Sequence, residues 1–499
     1  TALLLATHVA HAQSTYFWRS EAGDGNWQQA GNTQWWEAGN NTSGFAFGIQ
    51  WWDNNHFTTQ TNNTASASTH AFHFNGGAST AHTFVGSSVR LFDSGGNDPY
   101  IRNASGATHV FNFALEGDGN SEDPLHLYLD STGGLTFNGN ITNNGSGINI
   151  EGSNTGDAKT VTFAGVISGT GGMYLSNASV TTVFDNTHTL SGNLTINGGT
   201  ARLQGAGDTF GASTQNIRIG TGATLDLNGV STTVGSVAEE NSSDSGSITL
   251  GAGTLTVTAD STGSQLYQGS ISGSGGLTKQ GSHTLNLFDT QSYTGTTTVS
   301  DGQLSTSVAM SSTNFTVNGG TFSTDAANLL ADTAAVSVST GTFTVGGDDT
   351  VGAFTITGGT LGGSSTLTAA SYALGGGTIN GNLGSGAATN TGTTSLNGTL
   401  SSTNLVVSGG TLTLGSNNRM SDTLAATVSG GTLNFGGFSD QVGSFTISSG
   451  VFTNGTLTAT SYVLNGGTVG GTLGNTSGAA TNAGTTSLAG TRSSPNVVG

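Results

Sequence analysis

The sequence predicts an all-β fold, a parallel β-solenoid preceded by an aromatic-rich N-terminal β cap region. Three observations support this: the composition, an internal repeat, and short runs of alternating apolar residues. The 499 residues include 83 Gly, 3 Pro and no Cys, and only 7% are charged. An ordinary domain has about 25% charged residues. Thin β layers joined by tight Gly and Asn turns fit this composition, because Val, Ile, Thr and Phe are plentiful.

Apolar residues alternate with polar residues in runs of five to six. Examples are residues 223–229 (ATLDLNG) and 431–436 (GTLNFG). A period of two predicts a strand with one buried face, and the flanking Gly and Asn supply the positive φ angles of sharp corners. Helix signals are nearly absent, and residues 326–332 (AANLLAD) are the one candidate, where a loop is an equal alternative.

An internal repeat covers the C-terminal half of the chain. Residues 371–379 (SYALGGGTI) return 90 residues later as 461–469 (SYVLNGGTV), and 313–322 return as 403–412. The period is too long for one solenoid turn. We expect it to divide into about four turns of roughly 20–25 residues each.

Composition shifts divide the chain into three regions. Residues 1–12 resemble the end of a signal peptide, with a short apolar run and an A-x-A site, so we expect an exported protein whose recorded sequence is truncated at its start. Residues 13–135 form an aromatic-rich N-terminal β region, in which the first 52 residues contain all six Trp. Residues 136–499 are predicted to be solenoid repeats, with the sequence stopping inside a repeat.

Charge excludes several kinds of partner. The formal net charge is −19, and nine Lys and Arg are scattered over the whole length. Without a basic patch, the sequence predicts neither nucleic-acid binding nor docking on anionic lipid. No stretch approaches the roughly 18 apolar residues of a membrane-spanning helix, so we expect none. The absence of Cys excludes a disulfide scaffold.

Residues 271–304 (ISGSGGLTKQGSHTLNLFDTQSYTGTTTVSDGQL) carry a family resemblance. The order G-x-G-G-L-x-K-x-G, an L-x-L strand, Y-T-G-x-T and V-x-x-G-x-L resembles the autotransporter-associated β-strand repeat of bacterial surface proteins. A looser copy spans 166–200, without the Lys and the Tyr. The resemblance covers about residues 165–499, strongly at one place and weakly elsewhere.

The resemblance implies a right-handed parallel β-helix in a secreted or outer-membrane-associated passenger. Autotransporters end in a β-barrel, which this sequence does not contain. We therefore expect an outer-membrane translocator as partner only if such a barrel follows residue 499. The implied location is extracellular or at the cell surface.

Residues that suggest catalysis or metal binding have simpler interpretations. Residues 243–247 (SDSGS) resemble a serine-protease nucleophile segment without its outer glycines, and no His and Asp partners are identifiable. His70, His73 and His82 suggest a metal site, but residues three apart on a strand point to opposite faces. We predict histidines on a polar strand face instead.

Acidic residues raise two further alternatives. The stretch 116–123 (EGDGNSED) offers oxygen ligands but departs from a calcium-loop pattern, so we predict an acidic turn. Asp348 and Asp349 are the adjacent carboxylates of the repeat region, as a glycosidase would need. The sister unit places Asp440 in different surroundings, and we interpret the segment as a variable loop. The sequence therefore predicts no catalytic, cofactor-binding or metal-binding residues, and no enzyme.

Four tryptophans are the remaining candidate binding residues. Exposed rings can stack on sugars, which makes Trp35, Trp36, Trp51 and Trp52 candidate glycan contacts, although sealing of the open end of the solenoid is the favoured alternative. We predict a structural passenger that serves spacing, adhesion or matrix building, with surface glycans or matrix as partners. The alternatives are a glycan-binding adhesin that uses these tryptophans and a polysaccharide-processing enzyme.

Overall fold

The structure is a computed structural model. It describes residues 71–74, 81–86, 88–91, 98–117, 124–145, 147–153, 156–241, 245–258, 265–474 and 480–491. It also gives the backbone of strands at 16–18, 35–37, 49–52, 59–62, 67–69 and 497–498. Residues 1–12, with the expected signal peptide, lie outside the described residues.

The chain divides into two compact units, residues 1–255 and 256–499. In each unit the described strands are nearly all parallel and stacked turn upon turn, and no helix occurs among them. The predicted all-β solenoid is confirmed. Residues 326–332 form bends and turns rather than a helix.

In the first unit the described strands form three sheets. The first sheet contains Trp35–Glu37, Tyr16–Trp18, Ile49–Trp52, Ala71–Phe74, Tyr100–Asn103, Leu125–Leu129, Gly147–Glu151, Gly172–Leu175, Leu194–Ile196, Asn216–Ile219 and Ser236–Glu239. The second contains Thr59–Asn62, Thr83–Gly86, His109–Phe111, Leu135–Phe137, Lys159–Phe163, Val180–Phe184, Thr200–Leu203, Thr224–Asp226 and Ser247–Thr249. The third contains Ala67–Thr69, Val89–Leu91, Leu115–Glu116, Ile141–Thr142 and Ile167–Ser168.

Two further strands, Thr232–Val234 and Leu255–Val257, belong to none of these three sheets. In the second unit the strands are Gln265–Tyr267, Ser270–Ser272, Leu277–Lys279, Thr284–Leu287, Thr296–Val299, Gln303–Thr306, Asn314–Thr324, Ala335–Val345, Asp349–Ile356, Thr360–Gly362, Thr366–Ile379, Asn382–Leu383, Ala387–Leu396, Asn404–Val407, Thr411–Leu414, Ala425–Val428, Thr432–Asn434, Ser439–Ile447, Val451–Thr453, Thr456–Leu464, Thr468–Val469, Thr472–Leu473, Ala480–Asn482, Ser487–Leu488 and Val497–Val498.

A ladder of phenylalanines fills the interior of the first unit. Phe84, Phe111, Phe137 and Phe163 occupy the same register position on successive turns. Their ring centroids are 5.0, 5.1 and 5.3 Å apart, and each pair is stacked. Such ring pairs contribute about 0.5–1.5 kcal/mol beyond the burial of their area. The core is therefore continuous across these four turns.

The repeat of the second unit corresponds to five turns. Phe315 is in register with Val336, and the same column continues through Phe354, Tyr372 and Ala388 to Leu405, the repeat equivalent of Phe315. The expectation of about four turns of roughly 20–25 residues is wrong for this unit. The steps from Phe315 to Leu405 along this column are 21, 18, 18, 16 and 17 residues, so most turns are shorter than expected.

The corners use the positive φ angles that the flanking Gly and Asn predict. The strand Thr224–Asp226 buries Leu225 and is followed by Asn228 at φ 50° and Gly229 at φ 83°. Asn454 is another non-glycine residue with a positive φ angle, of 60°. Asn tolerates this conformation better than most residues because its short side chain bonds locally. The alternating runs and their end signals are confirmed.

The polar residues of the repeat resemblance are internal braces. Lys279 is fully buried, and its Nζ donates to the main-chain oxygens of Gln280 at 2.5 Å and Gly281 at 2.7 Å. Tyr293 is also fully buried, and its hydroxyl lies 2.6 Å from Oγ1 of Thr297. Lys279 is the Lys of G-x-G-G-L-x-K-x-G, and Tyr293 and Thr297 are the Tyr and last Thr of Y-T-G-x-T. These motif residues therefore stabilise the local backbone through buried hydrogen bonds.

Parallel pairing runs across residue 135 in the first unit. Leu125–Leu129 pairs with Tyr100–Asn103 on one side and with Gly147–Glu151 on the other. The division of the chain into residues 13–135 and 136–499 stays a prediction.

Candidate functional site

The four tryptophans predicted to contact glycans lie in two strands of the first sheet. Trp35 and Trp36 belong to Trp35–Glu37, and Trp51 and Trp52 to Ile49–Trp52. Their side chains lie outside the described part of the structure, so glycan contact by these residues stays a prediction. The backbone register pairs Trp51 with His73.

The column of Trp51 and His73 leads to a polar and aromatic surface on the same sheet. His73 is in register with Arg102, Arg102 with Tyr128, and Tyr128 with Glu151. The neighbouring column begins at Tyr100 and continues over successive strands through three more residues, His126, Asn149 and Tyr174. We call Tyr100, Arg102, His126, Tyr128, Asn149 and Tyr174 the outer patch.

The pattern of burial shows why these side chains face outward. In Leu125–Leu129 (LHLYL) the three leucines are buried and His126 and Tyr128 are partly exposed. In Tyr100–Asn103, Ile101 and Asn103 are buried, whereas Arg102 is exposed. Tyr174 is 44% exposed. A period of two places every second residue on the outer face of the sheet.

Ring contacts organise the outer patch. The imidazole of His126 stacks on the ring of Tyr128, with centroids 5.4 Å apart and planes 5° from parallel. The ring of Tyr100 meets that of Tyr128 edge-on at 6.0 Å. His73 contacts Tyr100 edge-on at 6.4 Å and is itself largely covered. The rings of His73, Tyr100, Tyr128 and His126 therefore form one connected group.

Charged partners fix the orientation of these rings. Nε2 of His126 lies 3.0 Å from Oδ2 of Asp98, and its Nδ1 lies 3.1 Å from Oε1 of Glu151. Nε of Arg102 donates to Oδ2 of Asp130 at 2.5 Å. Three carboxylates thus surround two basic side chains.

The phenols of Tyr100 and Tyr128 are neutral hydroxyls at physiological pH. Burial raises the pKa of Tyr100 above its usual 10.0. Burial, followed by the charges of Glu151 and Asp98, raises the pKa of Tyr128. Both groups can therefore donate and accept hydrogen bonds.

The sequence interpretation missed these residues. The signal was present in LHLYL, where the two non-leucine residues occupy the outward positions of a strand. Their partners could not be identified, because Asp98 and Glu151 reach His126 from 28 and 25 residues away along the chain.

Of the three histidines with a suggested metal role, His82 lies in the interior and not on a polar strand face. It stacks on His109 with centroids 5.4 Å apart, and His109 stacks on Phe74 at 3.6 Å. His70 lies outside the described residues. Within the described ranges, no group of three or more His, Asp or Glu side chains could hold a metal ion.

The buried imidazoles have pKa values well below the usual 6.5. Burial, with the nearby His82 as the second cause, lowers the pKa of His109 to about 3. Burial lowers the pKa of His188 to about 4. Nδ1 of His188 accepts from the main-chain N–H of Ile167 at 3.0 Å, and Nδ1 of His109 accepts from that of His82 at 3.2 Å. Both rings are held neutral as acceptors.

Acid is therefore expected to destabilise the first unit. Below pH 6.5 the unfolded chain binds protons at these histidines and the folded chain does not, until the pH reaches the folded pKa. Stability falls over that interval, by about 2 kcal/mol per histidine at pH 5. His188→Asn keeps an acceptor for Ile167 and cannot titrate. Chemical unfolding at pH 7 and pH 5 should show a smaller loss in this variant by about 2 kcal/mol. An equal loss in both proteins would contradict the assignment.

The adjacent carboxylates Asp348 and Asp349 do not form a variable loop. Asp349 is 2% exposed and begins the strand Asp349–Ile356. Its Oδ2 accepts from the main-chain N–H groups of Leu329 at 3.0 Å and Leu330 at 3.2 Å. The interpretation as a variable loop is wrong, because these bonds join two turns of the solenoid.

Asp440 occupies the equivalent place in the next repeat. It is 3% exposed, and its Oδ2 accepts from Arg419 N–H at 2.7 Å and Met420 N–H at 3.0 Å. We call Asp349 and Asp440 the carboxylate latches. In both, Oδ1 accepts from the next residue of the chain, Thr350 or Gln441, at 2.8 Å.

Two other sequence alternatives fall partly outside the described residues. These are the acidic stretch, of which 118–123 are not described, and the segment 243–247, of which 243 and 244 are not described. Among the residues that are described, no helix is long and apolar enough to span a membrane.

Comparison with known proteins adds one relative. The chain is 32% identical to the adhesin BmaC autotransporter of Brucella suis biovar 1 (strain 1330) over 219 residues. This aligned segment covers 40% of this chain and 6% of that protein. The chain therefore corresponds to a small part of the length of this relative. No protein-family model matches the chain, and no solved structure matches it significantly. The similarity to an autotransporter, together with the β-solenoid, confirms the resemblance to autotransporter surface proteins that the repeats predict.

Proposed function

We propose that the chain is an adhesin-like β-solenoid passenger exposed at the cell surface or released from it. The observation that carries the proposal is the similarity to an autotransporter adhesin in a chain that folds as a stack of parallel strands. A solenoid suits this role, because each turn contacts only its neighbours and presents long, regular outer faces. Export through a signal peptide and association with the outer membrane are parts of the same proposal.

The proposed role is non-enzymatic. The adjacent carboxylates that a glycosidase would use are engaged elsewhere, since Asp349 is a carboxylate latch and Oδ1 of Asp348 accepts from Thr366 N–H at 2.7 Å. Carboxylates bound to main-chain groups of neighbouring turns are not arranged around a scissile bond.

Adhesion can be measured with the full chain. Beads coated with it are incubated with cultured animal cells and with matrix-coated plates, and bound beads are counted beside beads coated with albumin. We expect several-fold more bound beads with the chain than with albumin. Equal binding on all surfaces, by protein whose circular dichroism shows the β fold, contradicts an adhesive role.

A further inference from the structure

The outer patch has features that structural packing alone does not require. Its rings contribute nothing to the interior ladder, yet they are held by two histidine–carboxylate contacts and one arginine–carboxylate pair. Beyond Tyr174 the same column continues through Thr195, Arg218 and Ala238, none of which is aromatic. Fixed aromatic side chains on a regular sheet face are typical of recognition surfaces.

We propose that the outer patch binds a neutral carbohydrate chain laid across successive turns of the first unit. This inference rests on the proposed adhesive function and assigns it a ligand class and a site. Aromatic faces pack against the C–H faces of sugar rings, while the phenol, amide and carboxylate groups bond to sugar hydroxyls.

The spacing of the patch suits a chain of sugars. Tyr174 is two strands beyond His126 in one column, with Asn149 between them. Adjacent strands are about 4.8 Å apart, so the two rings are separated by about 10 Å, which a disaccharide spans. The amide of Asn149 is then placed to bond to hydroxyls between the two stacking positions.

Charge decides between neutral and acidic carbohydrates. The patch is bordered by Asp98, Asp130 and Glu151, against one Arg and one His. The whole chain has a formal net charge of −19. Sulfated or uronic-acid polymers are repelled by such a surface, whereas a neutral polyol is not. Carboxylates are also strong acceptors for sugar hydroxyl groups.

An array of neutral oligosaccharides, with heparin as the acidic probe, tests the proposal on the full chain. We expect binding to at least one neutral glycan and none to heparin. Tyr128→Ala and Tyr174→Ala should each weaken that binding about tenfold. Phe288→Ala is the matched control, because Phe288 is also an exposed aromatic residue, 47% exposed, and lies in the second unit. This variant should bind as the unchanged chain does.

Thermal unfolding accompanies each binding measurement. If Tyr128→Ala fails to fold, Tyr174→Ala alone decides, because its exposed ring can be removed without opening the core. The absence of neutral-glycan binding, stronger binding to heparin, or unchanged binding by the folded tyrosine variants overturns the proposal. If beads coated with the chain still adhere to cells or matrix when the glycan proposal fails, the adhesive function is retained. If the beads adhere to no surface, the adhesive function itself is contradicted, whatever the glycan array shows.

Discussion

Replacing Asp440 by alanine is expected to lower the free energy of unfolding by about 4 kcal/mol. The carboxylate accepts hydrogen bonds from the main-chain N–H groups of Arg419, Met420 and Gln441. Alanine leaves these donors without their acceptor in a place that is 3% exposed. Each buried, unsatisfied donor costs about 1–3 kcal/mol. Denaturant unfolding followed by circular dichroism measures the loss.

Two further substitutions define the origin of this effect. Asp440→Asn keeps one acceptor oxygen but places an amide N–H against a main-chain N–H, and we expect a loss of about 2 kcal/mol. Asp422→Ala removes an exposed carboxylate from the same corner and should change stability by less than about 0.5 kcal/mol. If Asp440→Ala is as mild as Asp422→Ala, the latch does not hold the turns together.

The latch has a pH signature opposite to that of the buried histidines. Burial is the largest cause that raises the pKa of Asp440 above 3.8, and the hydrogen bonds from Met420 and Arg419 act against it. The folded chain therefore binds this proton more tightly than the unfolded chain. The contribution of this group to stability rises as the pH falls through the folded pKa, whereas the histidine contribution falls below pH 6.5.

The sequence predicted the strands of this fold more completely than their connections. Alternation in residues 223–229 and 431–436 reports the buried face directly, because it depends only on near neighbours. The number of turns in a repeat depends on corner length, which the alternation does not encode. The carboxylate latches were misinterpreted for the same reason, since each bonds to a turn about 20 residues earlier.

The outer patch escaped prediction for a related physical reason. Outward residues of a solenoid find their neighbours on adjacent turns, so Arg102 meets Asp130 and His126 meets Glu151 only after the register is known. The tryptophans stood out by composition alone. The tryptophan contacts stay a prediction, and the sequence did not indicate the residues of the outer patch.

The second large effect is expected at a glycine corner, for Gly341→Ala. Glycines stack at this corner on successive turns, so that Gly320 and Gly341 both have positive φ angles, of 53° and 72°. A Cβ atom at Gly341 would lie 2.4 Å from the main-chain oxygen of Gly320 and 2.5 Å from that of Gly319. Those oxygens are main-chain atoms of the preceding turn, next to Thr321, whose N–H donates to the main-chain oxygen of Gly302 at 2.7 Å.

A matched control separates the two sources of strain. Gly437 also has a positive φ angle, of 91°, but a Cβ atom there meets nothing within 4 Å. Gly437→Ala should therefore cost about 1–2 kcal/mol, from the backbone conformation alone. Gly341→Ala carries the same cost together with the contact, and we expect a total of about 4 kcal/mol. Denaturant unfolding of both variants measures the difference. Equal losses would show that the turns can separate at the corner, and the glycines at 320 and 341 would then be explained by backbone conformation and not by the close stacking of successive turns.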